Sequence, residues 1–153
     1  MKGNYYINDK DDIFFWFSII GQLNAKRVLD IGGFYQRIGV LTPKVGNLAV
    51  PAGTVIDAVN LLNEPMLPVY YTIYDHIYQV DEFLGCQYDL AIFMTPADEW
   101  NVGSVMDVIR KIKPHLGILA LDMPSYEMLQ DQSFAMPVIQ DASVEGRIYK
   151  LVS

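Results

Sequence analysis

The stretch Arg27-Val28-Leu29-Asp30-Ile31-Gly32-Gly33 constrains the fold of this chain more than any other. Apolar residues surround one aspartate and a glycine pair follows, the pattern of a buried parallel strand that ends in a tight turn. Strands covered on both faces read as near-continuous apolar runs, and their crossovers are usually helices. Glycine at the turn lets the backbone bend and approach a ligand with no Cβ in the way. Ligands of open α/β sheets gather at the carboxyl ends of the strands. Asp30, Gly32 and Gly33 are therefore the first candidate site residues.

The rest of the pattern alternates between strand and helix. Apolar spacing predicts a helix from Asp11 to Asn24, capped by Asn8 or Asp9. Residues 34–53 read as a short or broken helix, interrupted by Gly39, Pro43 and Gly46. Further strands are predicted over Thr54–Val59, Val69–Tyr74, Tyr88–Met94 and Ile118–Leu121. A helical turn is expected at Asp81–Gly85, an amphipathic helix at Val102–Ile112, and a helix or loop at Ser125–Gln132. Strands at Phe134–Ile139 and Arg147–Val152 close the chain as a hairpin. This order predicts one α/β domain over residues 1–153, with 1–24 as its N-terminal segment and helix: a Rossmann-like, mostly parallel sheet with helices on both faces and a C-terminal antiparallel hairpin.

Composition narrows the partners. A net charge of −7 and a pI near 4.6 repel phosphate backbones, so no nucleic acid is expected. The longest apolar run, Ile13 to Ile20, is broken by Ser18 and falls well short of the ~20 residues of a membrane span. With Asp11 and Asp12 before it, this run also lacks the basic leader of a signal peptide, and a cytoplasmic protein is expected. Cys86, the single cysteine, excludes an internal disulfide and any multi-cysteine metal centre. Apolar residues make up 52% of the chain and charged ones 19%, which predicts an apolar subunit contact and hence a homo-oligomer, here a homodimer.

With these elements in place, the chain resembles the class I S-adenosylmethionine-dependent methyltransferase superfamily, as a small divergent member, from about residue 11 to 153. Val28-Leu29-Asp30-Ile31-Gly32 is similar to the first half of that family's strand and acidic-x-Gly-x-Gly-x-Gly signature. Tyr88-Asp89-Leu90-Ala91-Ile92 matches the start of its fourth strand, and Ile112-Lys113-Pro114 leading into Ile118–Leu121 is similar to its late helix-to-strand segment. The second and third signature glycines fall on Phe34 and Gln36. Thr95-Pro96-Ala97 lacks the Asn/Asp-Pro-Pro-aromatic motif of members that modify nucleic acids.

The resemblance implies S-adenosylmethionine as cofactor. Asp30 would face its ammonium or order the loop, Asp57 would bind the ribose hydroxyls and Asp75 would accept from the adenine amino group. The residues themselves add that Asp30, Asp57, Asp75 and Asp122 are all expected at strand carboxyl ends. Carboxylates there suit a diol or a cation, although aspartate is also an ordinary turn former. His76 is a candidate base for a poorly acidic acceptor, but a histidine in such a place is more often a surface loop residue. His115 reads as exposed, and no metal-binding spacing occurs. The Gly-x-Phe-x-x-Arg run from Gly32 disfavours a nicotinamide site. The expected function is binding of S-adenosylmethionine with methyl transfer to a small molecule. The alternative is a catalytically inactive protein of the same fold, its pocket filled by Phe34, acting as a structural or interaction module. A different nucleotide-binding α/β module is the third reading.

Overall fold

In the computed structural model β1 (Arg27–Ile31) is an interior strand of a sheet that extends in both directions. The structure describes residues 19–32, 53–61, 74–93, 102–132, 136–144 and 147–153. On one side β1 pairs in parallel with β2 (Val55–Asn60), and β2 with β3 (His76–Gln79). On the other it pairs with β4 (Tyr88–Phe93), followed by β5 (Leu116–Asp122). β7 (Arg147–Val152) joins β5 antiparallel, and β6 (Val138–Val144) forms the outer edge. The order is β3-β2-β1-β4-β5-β7-β6.

The apolar run of β1 is explained by two covered faces. Val28 packs with Ile56, Leu90 and Ala120 in one layer, under Ile19 and Ile20 at the end of a helix at 19–22. Leu29 and Ile31 point the other way, into a layer closed by Val105, Val108, Ile109 and Ile112 of α1 (Val102–Ile112) and Leu129 of α2 (Met123–Gln130). Arg110 and Lys111 lie in the last turn of α1, where positive charge meets the helix's negative end. The Lys111 Nζ also donates to the Phe83 carbonyl at 2.8 Å. A single turn, Lys113–His115, carries the chain from α1 directly into β5. Asp122 ends β5 and caps α2, its Oδ1 accepting from the Ser125 N–H at 3.0 Å.

The expected architecture is therefore found: a mostly parallel sheet, helices on both faces and an antiparallel closing pair. Three boundaries differ. The third strand is His76–Gln79 and begins after Asp75, whereas Val69–Tyr74 was expected to carry it. The β-branched and aromatic run drew the prediction, but the polar alternation of His-Ile-Tyr-Gln suits an edge strand with one apolar face. Residues 69–73 lie outside the described set. β6 runs Val138–Val144, later than Phe134–Ile139, because pairing with Arg147–Val152 sets its register. Residues 80–82 form a turn, and 83–87 continue without regular structure, in place of the helical turn expected at 81–85.

Candidate functional site

The chain leaves β1 for β2 and β3 on one side, then returns to lay β4 and β5 on the other. The strand order reverses between β1 and β4, and a crevice outside the carboxyl ends at such a switch point is the place where open α/β sheets take ligands. Gly32 closes β1 there. Its φ is +96°, and its N–H donates to the Val59 carbonyl at 2.7 Å, so the last ladder bond is made while the chain turns away. Asp30 is completely buried two residues earlier and accepts from the Tyr74 hydroxyl. Asp30 pairs with Ala58 of β2 and Ile92 of β4, so it shares the face of Ala58 and of Asn60 beyond it.

Asn60 was missed by sequence reasoning. It is buried at the last position of β2, paired with Gln79. Tracing the apolar run of β2 one residue further would have found it, but the only acid in that strand drew attention instead. Asp122 stands at the carboxyl end of β5 as expected, with one carboxylate oxygen taken by the α2 cap. Gly33 and Phe34 lie outside the described residues, as do Tyr35 and Gln36.

Asp57 and Asp75 are placed elsewhere. Asp57 is the third residue of β2 and pairs with Leu29, so its side chain points to the face opposite Asp30. Its Oδ1 lies 2.8 Å from His76 Nδ1, its Oδ2 accepts from the Tyr88 hydroxyl at 2.8 Å, and an Arg27 guanidinium nitrogen stands 3.7 Å away. Arg27, His76 and Tyr88 each begin a parallel strand, which puts this cluster toward the amino edge of the sheet. Asp75 precedes β3. Its N–H donates to the Ile56 carbonyl at 2.7 Å, and its Oδ2 accepts from the Ile56 N–H at 2.8 Å. The carboxylate thus satisfies β2 backbone at the start of an edge strand. The expectation of one edge carrying four aspartates is corrected: Asp30 and Asp122 share the carboxyl end, while Asp57 and Asp75 do not. His76 is likewise removed from Gly32, at the other end of its strand from the crevice.

The Asp57 cluster shapes its own electrostatics. Burial, then the hydrogen bond and charge of Asp57, push the Tyr88 hydroxyl far above the ordinary phenol range. Burial and Asp57 raise Tyr78 in the same direction. Partial burial opposes the charge of Arg27, but the negative potential of Cys86 and Asp57 outweighs it and holds the guanidinium above its usual value. Its plane also lies over the Tyr88 ring, 5.5 Å from the centroid.

Among the described residues no group of three His, Cys, Asp or Glu side chains is arranged to hold a metal ion. No helix among them is long and apolar enough to cross a membrane. Cys86 and His115 are both exposed.

No family model matches the chain, and no curated protein matches it. Solved structures do. A Staphylococcus aureus protein provisionally named a caffeoyl-CoA O-methyltransferase aligns over 96% of this chain and 85% of its own, with a TM-score of 0.57 and 11% identity. The methyltransferase domain of the bacterial protein CtHen1 aligns over 95% and 98%, at 0.56 and 9%. A ribosomal-protein methylase of Lactobacillus delbrueckii subsp. bulgaricus aligns over 92% and 78%, at 0.50 and 16%. The fold of this chain is that of the class I S-adenosylmethionine-dependent methyltransferases.

Proposed function

We propose that the chain binds S-adenosylmethionine in the crevice between β1 and β4 and acts as a methyltransferase-like protein on a small molecule. The observation that carries this reading is Gly32, at φ +96°, closing β1 at the topological switch point beside the buried Asp30. The turn brings backbone close to a ligand there, and Asp30, ordered by Tyr74, supplies negative charge for an ammonium or sulfonium. Asn60, at the end of β2, stands where Asp57 was expected and offers amide hydrogen bonds to a diol. Methyl transfer is an in-line displacement, so positioning and exclusion of water supply most of its acceleration. The acidic balance of the chain favours a small acceptor over a nucleic acid.

Calorimetric titration with S-adenosylmethionine and with its demethylated product tests the reading. Saturable binding that Asp30→Ala weakens while the fold is retained supports it. Absence of binding at millimolar ligand sinks it.

One observation favours the second reading, a catalytically inactive protein of this fold acting as an interaction module. All three acids that the resemblance assigns to the cofactor are engaged in internal contacts, Asp30 with the Tyr74 hydroxyl, Asp57 with His76 and Tyr88, and Asp75 with the Ile56 N–H. In that reading the apolar excess serves a homo-oligomer, and Leu84, Ile148 and Val138 are exposed. Turnover of any methyl acceptor, lost in Asp30→Ala, would exclude it. A monomer by light scattering would remove its oligomeric part.

A further inference from the structure

The amino edge of the sheet carries a group of polar side chains that the proposed cofactor crevice does not use. Asp57 is fully buried, and its two oxygens are met by His76 Nδ1 at 2.8 Å and, on the other side, by Tyr88 at 2.8 Å and Arg27 at 3.7 Å. With Nδ1 occupied by the carboxylate, Nε2 is the ring nitrogen left for a partner. The His76 side chain is 59% exposed and that of Arg27 43%. An imidazole and a forked cation thus stand partly exposed on either side of one buried carboxylate.

The protein does not saturate this edge by itself. Among the described residues two buried side-chain polar atoms have no hydrogen-bond partner, Arg27 Nε and Thr54 Oγ1. Arg27 starts β1 and pairs with Val55, so Thr54, one residue earlier, turns to the opposite face of the sheet, and Arg27 Nε is the one of the two that belongs to this cluster. An unpaired buried donor is rare in folded proteins, and here it leaves the Arg27 guanidinium less than fully matched by the protein. The phenols of Tyr78 and Tyr88 stay neutral here and add no negative charge. Asp75 and Asp89 also lie at this edge, and one oxygen of each accepts from backbone N–H groups, that of Ile56 for the former and those of Lys26 and Arg27 for the latter.

We propose that Arg27 and His76 form a second site, independent of the cofactor crevice, for a phosphate or phosphate monoester. Such an anion carries both features that the edge complements. An unprotonated oxygen meets the Arg27 fork, and a P–OH donates to His76 Nε2. If the proton moves across that bond, the complex becomes a dianion facing an imidazolium, with the same atoms and the same total charge. Asp57 is the positioning residue, fixing the imidazole from beneath and balancing the cation.

Side-chain imidazole resonances of His76, followed in the 153-residue chain during titration with inorganic phosphate, test the proposal. Saturable shifts at millimolar phosphate are expected. Arg27→Gln and the exposed His76→Gln should each weaken binding roughly tenfold or more, the loss of one charge-assisted hydrogen bond. Circular dichroism of each variant checks its fold, and His76→Gln keeps the test decisive if Arg27→Gln fails to fold. In His76→Gln the phosphorus resonance of the ligand replaces the lost imidazole signal. Phenyl phosphate in a parallel titration shows whether a monoester or the free ion is the better ligand, and saturation by either supports the site. Unmoved His76 resonances, or wild-type affinity in both variants, would overturn the proposal. Sulfate, which has no proton to share at neutral pH, should bind more weakly, and equal binding of sulfate would overturn the shared-proton geometry.

Discussion

Gly32 holds a backbone angle that other residues adopt only at a cost. Gly32→Ala is expected to destabilise the fold by about 1–3 kcal/mol, from left-handed strain, and to move the turn away from the crevice. Urea denaturation reads the first effect and cofactor titration the second. Asp57 supports a different prediction, because its carboxylate satisfies the buried Tyr88 hydroxyl. Asp57→Ala should cost about 1–3 kcal/mol, chiefly by leaving that hydroxyl unpaired. The exposed His76 and Arg27 add little to this, since solvent screens them. Tyr88 also sets an alkaline limit. Its folded pKa is raised, so the neutral phenol is favoured in the native state, while the unfolded phenol ionises near pH ~10. The stability contributed by the neutral phenol is full below that pH and is lost as pH rises above it. Thermal melts between pH 8 and pH 11 should show a falling midpoint, with a shallower fall in Tyr88→Phe.

Among the elements, β4 and β5 meet so closely that a side chain at one position is excluded. A Cβ built on Gly117 would lie 2.5 Å from the Asp89 carbonyl oxygen, a backbone atom that cannot swing aside. Gly117→Ala is expected to destabilise by roughly 1–3 kcal/mol through forced strand separation, seen as a lower urea midpoint with an unchanged slope. The same two strands show how far elements were legible. Tyr88–Phe93 and Leu116–Asp122 stood out because strands buried on both faces need almost continuous apolar residues. Val102–Ile112 was found to the residue because its apolar face repeats at helical spacing and Pro114 follows its end. The edge strands β3 and β6 were misplaced for the opposite reason. A strand with one partner carries polar residues, and its limits are set by the neighbour it pairs with, which spacing along the chain does not encode. The candidate site divides in the same way. Asp30 and Gly32 were legible from a local turn signal, whereas Asp57 required knowing which face of β2 it takes.

Over the whole molecule the sheet separates two chemistries. The carboxyl end has the Gly32 turn with Asp30 and Asn60; the amino edge has Arg27, His76 and the Asp57 beneath them. Asp30 and Asp57 lie on adjacent strands but point to opposite faces. A ligand at one is therefore expected to leave the other energetically unchanged, and thermal stability measures this directly. A ligand that binds only the native state adds about 2.7 kcal/mol at a concentration 100 times its Kd, which for a chain of 153 residues raises Tm on the order of 5–10 °C. S-adenosylmethionine should produce that rise in the wild type. Asp57→Ala should lower the starting Tm and keep the increment, because independent sites add. Asp30→Ala should lose the increment. If Asp57→Ala removes it and Asp30→Ala keeps it, the cofactor sits against the amino-edge cluster, and the crevice between β1 and β4 is not its site.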